Sequence, residues 1–114
     1  MAKIFFGFAL ADSMFEGDCT ITRKVVDAAF VREKAAGLIP CLNPSHQATI
    51  DAMRRRFGIK IAVPEVPPKV ALSPGDTVIV MGVRGLPRLT DRHEYTAEEI
   101  AGASFSFSVY TVKE

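Results

Sequence analysis

The chain has 114 residues, with 14 Lys and Arg against 13 Asp and Glu, and 48% of it is hydrophobic. That length fits a single domain over residues 1–114, and the apolar fraction supports a core, which excludes wholesale disorder. A net charge of +1 excludes long nucleic acid held by bulk electrostatics, and no apolar run approaches the roughly 18 residues of a membrane-spanning helix.

Lys3 to Leu10 is aromatic and aliphatic without alternation, as expected of a strand buried on both faces. With Lys3 in front and Ala9-Leu10-Ala11 behind, it imitates a signal peptide, but it is too short for one. Asp12-Ser13 and Glu16-Gly17-Asp18 bracket Met14-Phe15, an apolar plug in a polar loop. Cys19 to Thr22 alternates and predicts a second strand, after which Asp27 caps a helix running to about Ala36, with Gly37 as its stop. Asn43-Pro44 is the clearest helix start in the chain, an N-cap residue followed by proline at the first helical position. Ile50, Met53 and Phe57 keep the helical spacing, and Gly58 closes it behind Arg54, Arg55 and Arg56.

Beyond Gly58 the pattern turns to β. Ile59 to Val63 and Lys69 to Leu72 predict strands, separated by a proline-broken edge or extended loop. Ser73-Pro74-Gly75-Asp76 predicts a turn, and Val78 to Met81 the central strand. Gly82 to His93 reads as a Gly- and Arg-rich loop, and Thr96-Ala97-Glu98-Glu99 as a capping box opening a short helix. Phe105, Phe107 and Val109 then alternate with Ser104, Ser106 and Ser108 in a half-buried strand. The expected fold is α+β, one mixed sheet packed by two or three helices.

Cys19 and Cys41 have neither disulfide-framework nor zinc spacing, so a reducing, cytoplasmic setting is expected. With no carboxylate pair, no Ser-His-Asp order and no metal cluster, neither metal nor cofactor is expected. The chemistry concentrates at His46. A helix start offers free backbone N–H groups and the positive end of a dipole to a phosphate, and a histidine there can pass a proton to a leaving oxygen. The plain alternative is that Ser45 and His46 are surface residues of a well-capped helix. His93 reads as a solvated loop residue or one that closes over a ligand, and Arg54 to Arg56 as a solvated helix end or a phosphate-facing patch. Gly82 and Gly85 read as turn glycines or as part of a phosphate-cradling loop, although no G-x-x-x-x-G-K-[ST] run accompanies them.

The run S-H-Q-A-T-I-D-A-M-R-R-R-F-G resembles the G-H-x-S-T helix start of the small viral ring nucleases that counter type III CRISPR immunity. The order of the other motifs is similar too: P-G-D before a hydrophobic strand, an Arg- and Leu-containing loop, a T-x-E-E helix and an F-S-F-x-x-Y terminal strand. The resemblance implies a compact α+β homodimer that binds cyclic tetra-adenylate across its two-fold axis. It also implies metal-independent cleavage, a ribose 2′-OH attacking while the histidine protonates the 5′ oxygen. On that basis His46 is the general acid. Ser45, Gln47, Thr49, Arg84, Gly85 and Arg88 contact the ligand or its phosphates. A chain of this size has too little surface to enclose a cyclic tetranucleotide, which again favours a C2 dimer.

The departures point elsewhere. Arg88 stands where the family carries a supporting glutamate, and Phe8 and Ala11 stand where it carries Asn and Ser. Losing an acid and gaining a cation suits anion binding better than turnover, so a non-catalytic nucleotide sponge, acting in the host cytoplasm if viral, is the competing expectation. A protein–protein module acting through a sheet edge, motivated by Val63–Lys69 and the Met14-Phe15 plug, is a third.

Overall fold

In the computed structural model, which describes residues 2–89 and 94–114, the described residues form five strands and three α-helices. These are β1 (Ile4–Gly7), β2 (Ile21–Val26), α1 (Ala28–Lys34), β3 (Ile39–Pro40), α2 (Gln47–Phe57), β4 (Thr77–Arg84), α3 (Ala97–Gly102) and β5 (Ser104–Val112). The sheet order is β2-β5-β4-β1-β3, with β1 parallel to β3 and β4, and β5 antiparallel to β4 and β2. The mixed α+β expectation is met.

Strand alternation gives the sheet two unlike faces. One carries Phe6, Ile79, Met81 and Phe107 against Val31 of α1 and Ile50 and Met53 of α2. The other carries Phe5, Val78 and Val112 beneath Val70 and Leu72, with Met14 and Phe15 packed alongside. The expected apolar plug is therefore part of the fold: Phe15 bridges Leu72, whose N–H donates to the Met14 carbonyl at 2.8 Å. The serine–phenylalanine alternation of β5 holds along its length, Phe105, Phe107 and Val109 joining the helix side.

Local signals fix the helix ends. Asp27 accepts from the Phe30 N–H at 2.9 Å, Thr96 and Glu99 form the reciprocal capping box, and Gly58 closes α2 at φ 72°. Asp76, 4% exposed, holds the Lys3 and Ser73 N–H groups at 2.9 Å each and ties the first strand to the turn before β4. Burial opposes the charge on this carboxyl. The two N–H donors and the Lys3 ammonium outweigh that and hold it below the usual carboxylate range.

Five segments differ from the sequence reading. Strand β1 ends at Gly7 rather than Leu10, and β2 runs from Ile21 to Val26 rather than from Cys19 to Thr22. Ile59 to Val63 forms no strand, although Ile59 is fully buried: its apolar side chains fill the core without a ladder partner. Lys69 to Leu72 keeps only the Leu72 bridge, and Gly82 to Arg84, read as loop, extends β4.

Candidate functional site

Because β1, β3 and β4 are parallel, their carboxyl ends share one edge of the sheet, the place where open α/β sheets take ligands. Phe8 leaves β1 there, β3 leads through Cys41 to the start of α2, and β4 delivers Arg84 and Gly85. The Cys41 N–H donates to the Phe6 carbonyl at 2.7 Å, keeping these exits side by side. Burial pushes the Cys41 thiol up, against a smaller opposing hydrogen bond with the Phe6 backbone.

Residues Pro44–His46 form a 3-10 turn ahead of α2, with Asn43 as its cap. The Asn43 side chain accepts from the Ser45 N–H at 2.9 Å and from the Ser45 hydroxyl. The Asn43 N–H in turn donates to His46 Nδ1 at 3.2 Å. The His46 N–H donates to the Asn43 carbonyl and the Gln47 N–H to the Pro44 carbonyl. Pro44 has no N–H, so the first-turn amides are already engaged; the expectation of free backbone donors is not met, and a phosphate here would meet side chains.

What the turn does fix is the imidazole. With Nδ1 accepting, the neutral ring carries its proton on Nε2. Phe8 stands edge-on to the ring, centroids 4.7 Å apart at 78°, and is itself backed by Phe6 at 6.4 Å. The aromatic at position 8, read from sequence only as a missing Asn, is thus a wall of the His46 site. Thr49 is half-buried one turn on, and the Gln47 amide is engaged with Asp51 at 3.0 Å along the exposed side of α2.

Arg84 ends β4 opposite Ser104, and Gly85 turns the chain at φ 88°. It is the angle that favours glycine, since a Cβ on Gly85 would lie 3.5 Å from Ala103 Cα, an ordinary contact distance. Beside it lies an open groove of about 450 Å³, lined by Gly82, Arg84, Ser104 and Ser106 among others. Arg84 shares the strand parity of Val80 and Gly82, which projects away from the helices, whereas His46 stands at the start of a helix on the other face. One subunit therefore brings His46 and Arg84 to the same end of the sheet but not to the same face. Arg88 is exposed four residues on, and His93 lies outside the described residues.

The arginine triplet is not simply a solvated helix end. Arg54 pairs loosely with Asp51 at 3.8 Å, but Arg55 donates to the Tyr95 carbonyl at 2.9 Å. Arg56 donates to the Ile100 carbonyl at 2.8 Å and to that of Ala103, with its guanidinium 5.4 and 5.5 Å from the Phe57 and Phe105 rings. It caps α3 from outside. The readable signal was that α3 has no basic residue in its own last turn to meet its free carbonyls.

Residues 63–69 lie outside the sheet; its edges are β2 and β3. Among the described residues, no group of three His, Cys, Asp or Glu side chains is placed to hold a metal, and no helix is long and apolar enough to cross a membrane. No family model matches the chain, and no curated protein matches it by sequence. Among solved structures it is similar to B116 of Sulfolobus turreted icosahedral virus, with a TM-score of 0.68 at 22% identity, over 96% of this chain and 99% of that one. The likeness spans the whole fold.

Proposed function

We propose that this is a virus-type protein that binds a cyclic oligonucleotide second messenger of host antiviral immunity through its phosphates, in the host cytoplasm and as a homodimer. The observation that carries the reading is the held imidazole: Asn43 fixes Nδ1 and Phe8 the ring edge, leaving Nε2–H as a positioned donor at the positive end of α2. Arg84 adds a cation at the same end of the sheet, with Arg88 close in sequence, and the fold shared with a virus protein agrees with the source.

The same geometry favours holding the ligand over cutting it. A general acid must start as imidazolium, and a protonated Nδ1 loses its bond from the Asn43 N–H. Arg88, in place of an acid, stabilises bound phosphate without moving a proton. Sequestration is the reading adopted; cleavage to products bearing a 2′,3′-cyclic phosphate is the outcome that would replace it.

Incubation with cyclic tetra-adenylate, with and without EDTA, tests this. The expected result is tight binding, ligand recovered intact after heat denaturation, and binding weakened at least about tenfold by Arg84→Ala. Metal-independent cleavage abolished by His46→Ala makes the protein a nuclease instead. Absence of binding across a panel of cyclic oligonucleotides overturns the nucleotide reading.

A further inference from the structure

The two edges of the sheet are protected unequally. At one, β3 has two residues and ends in Pro40, which has no N–H to offer a further strand. At the other, β2 runs six residues without proline and pairs with β5 in one unbroken register. Among the described residues no strand lies beyond β2.

The ladder shows what that edge holds out. Thr20, opposite Lys113, accepts its N–H at 2.8 Å, while the Val112 N–H turns the other way, to the Asp76 carbonyl at 3.0 Å. Bonding alternates along an antiparallel pair, so Thr22, Lys24 and Val26 direct their backbone groups to β5, and Ile21, Arg23 and Val25 direct theirs outward. Three N–H and three C=O groups thus stand along about 14 Å of open strand. The side chains around them are exposed, Val25 64% and Ile21 39%. Arg23 is folded back onto its own sheet, its Nε donating to the Tyr110 hydroxyl and its Nη2 to Ser108 Oγ, 3.0 Å each, which leaves the backbone edge clear. Exposed Lys24 shares the strand parity of Val26, on the helix side, and neither β2 nor β5 contains an Asp or Glu.

We propose that this edge takes an extended segment of another protein as a further strand, with aliphatic side chains beside Ile21 and Val25 and carboxylates beside Lys24 and Arg23. In such pairing the main chain supplies affinity and the flanking side chains supply choice. Charge selects against a second copy of this chain. Between two antiparallel β2 strands, the register that uses all three outward residues sets Arg23 against Arg23 and the two Lys24 diagonally across, and like charges so placed destabilise a sheet. An acidic strand meets the same cations favourably. A nucleic acid would answer the charge but leave the aliphatic flanks bare and match no alternation of backbone donors and acceptors. The edge is also distinct from the proposed nucleotide site, since β5 and β4 stand between β2 and β1.

A blocked peptide, acetyl-Val-Glu-Asp-Thr-Val-amide, laid antiparallel against Val25 to Ile21, tests this by amide hydrogen exchange and titration. In the free protein the amides of Ile21, Arg23 and Val25 should exchange fast and those of Thr22 and Lys24 slowly; saturating peptide should slow the first three at least tenfold. Lys24→Glu should weaken binding at least tenfold and turn the preference to the same peptide with Lys at both acidic positions. Val25→Pro removes one outward N–H and no bond to β5, and should weaken binding too. Circular dichroism confirms folding, and Lys24→Glu, at an exposed site, keeps the test decisive if Val25→Pro misfolds. Unchanged exchange at the three amides with peptide at about 1 mM, binding indifferent to Lys24→Glu, or protection that arises instead from self-association or from polyadenylate overturns the proposal. Cyclic tetra-adenylate should bind Lys24→Glu as it binds the unaltered chain, so this inference and the nucleotide reading fail separately.

Discussion

The two faces of the sheet are made from the same strands, yet they follow different rules. Toward the helices, Phe6, Ile79, Met81 and Phe107 meet Val31, Ile50 and Met53 with almost no exposed surface. On the opposite face, along β2 and the serine row, Ile21 and Val25 stand in the open and Arg23 lies flat between them. The first face holds the chain folded. The second does so only over the Phe5–Val78–Val112 part, beneath Val70 and Leu72, and lies open along β2. The contrast shows that periodicity assigns side chains to a face, while what covers the face is decided by other parts of the chain.

The largest expected effect breaks the helix side. Met53 is fully buried at the centre of that core, so Met53→Ala should cost about 2–5 kcal/mol and lower the melting temperature by roughly 10 °C or more. Next is ligand: a cyclic nucleotide at a hundredfold excess over its Kd should stabilise the fold by about 2.7 kcal/mol, and added salt should shrink the gain. A melting curve unmoved by saturating nucleotide contradicts binding at the strand ends.

Acid sharpens the comparison at the opposite end of the sheet. Because the folded Asp76 carboxyl is held below its usual range, its contribution is complete above the unfolded value of about 3.9 and is lost as pH falls through the lower folded value. Asp76→Asn should therefore flatten the fall in melting temperature below about pH 4, whereas substitutions on the open face should leave that limb unchanged. Thr96→Ala should remove about 1 kcal/mol through its cap, measured by urea denaturation. Val25→Ser is the smallest, within about 0.5 kcal/mol for the isolated subunit, and a larger loss would mean that the open face matters to the monomer's own stability.

Much of this was legible because it is local. Asp27, Asn43, Thr96 and Gly58 act on backbone groups within a few residues of themselves, so their caps follow from spacing alone. The serine–phenylalanine alternation of β5 is likewise a property of one strand. At the candidate site, sequence marked His46 and Arg84 but not Phe8 as a group that fixes the imidazole, because that contact joins residues 38 positions apart. The engaged first-turn amides were also hidden: Asn-Pro announces a helix start, but whether its first turn is α or 3-10 depends on how the chain leaves β3.

The sequence by itself determined which segments are helical, which residues cap them, and which side of each long strand is apolar, since these depend on neighbours a few residues away. Only the tertiary structure decided that Ile59–Val63 fills the core without pairing, that Arg56 caps a helix more than 40 residues ahead of it, and that His46 and Arg84 reach one end of the sheet from opposite faces. Strand order and the crossing of α2 fix those relations, and they arise from burying separate apolar surfaces together, which no local spacing encodes.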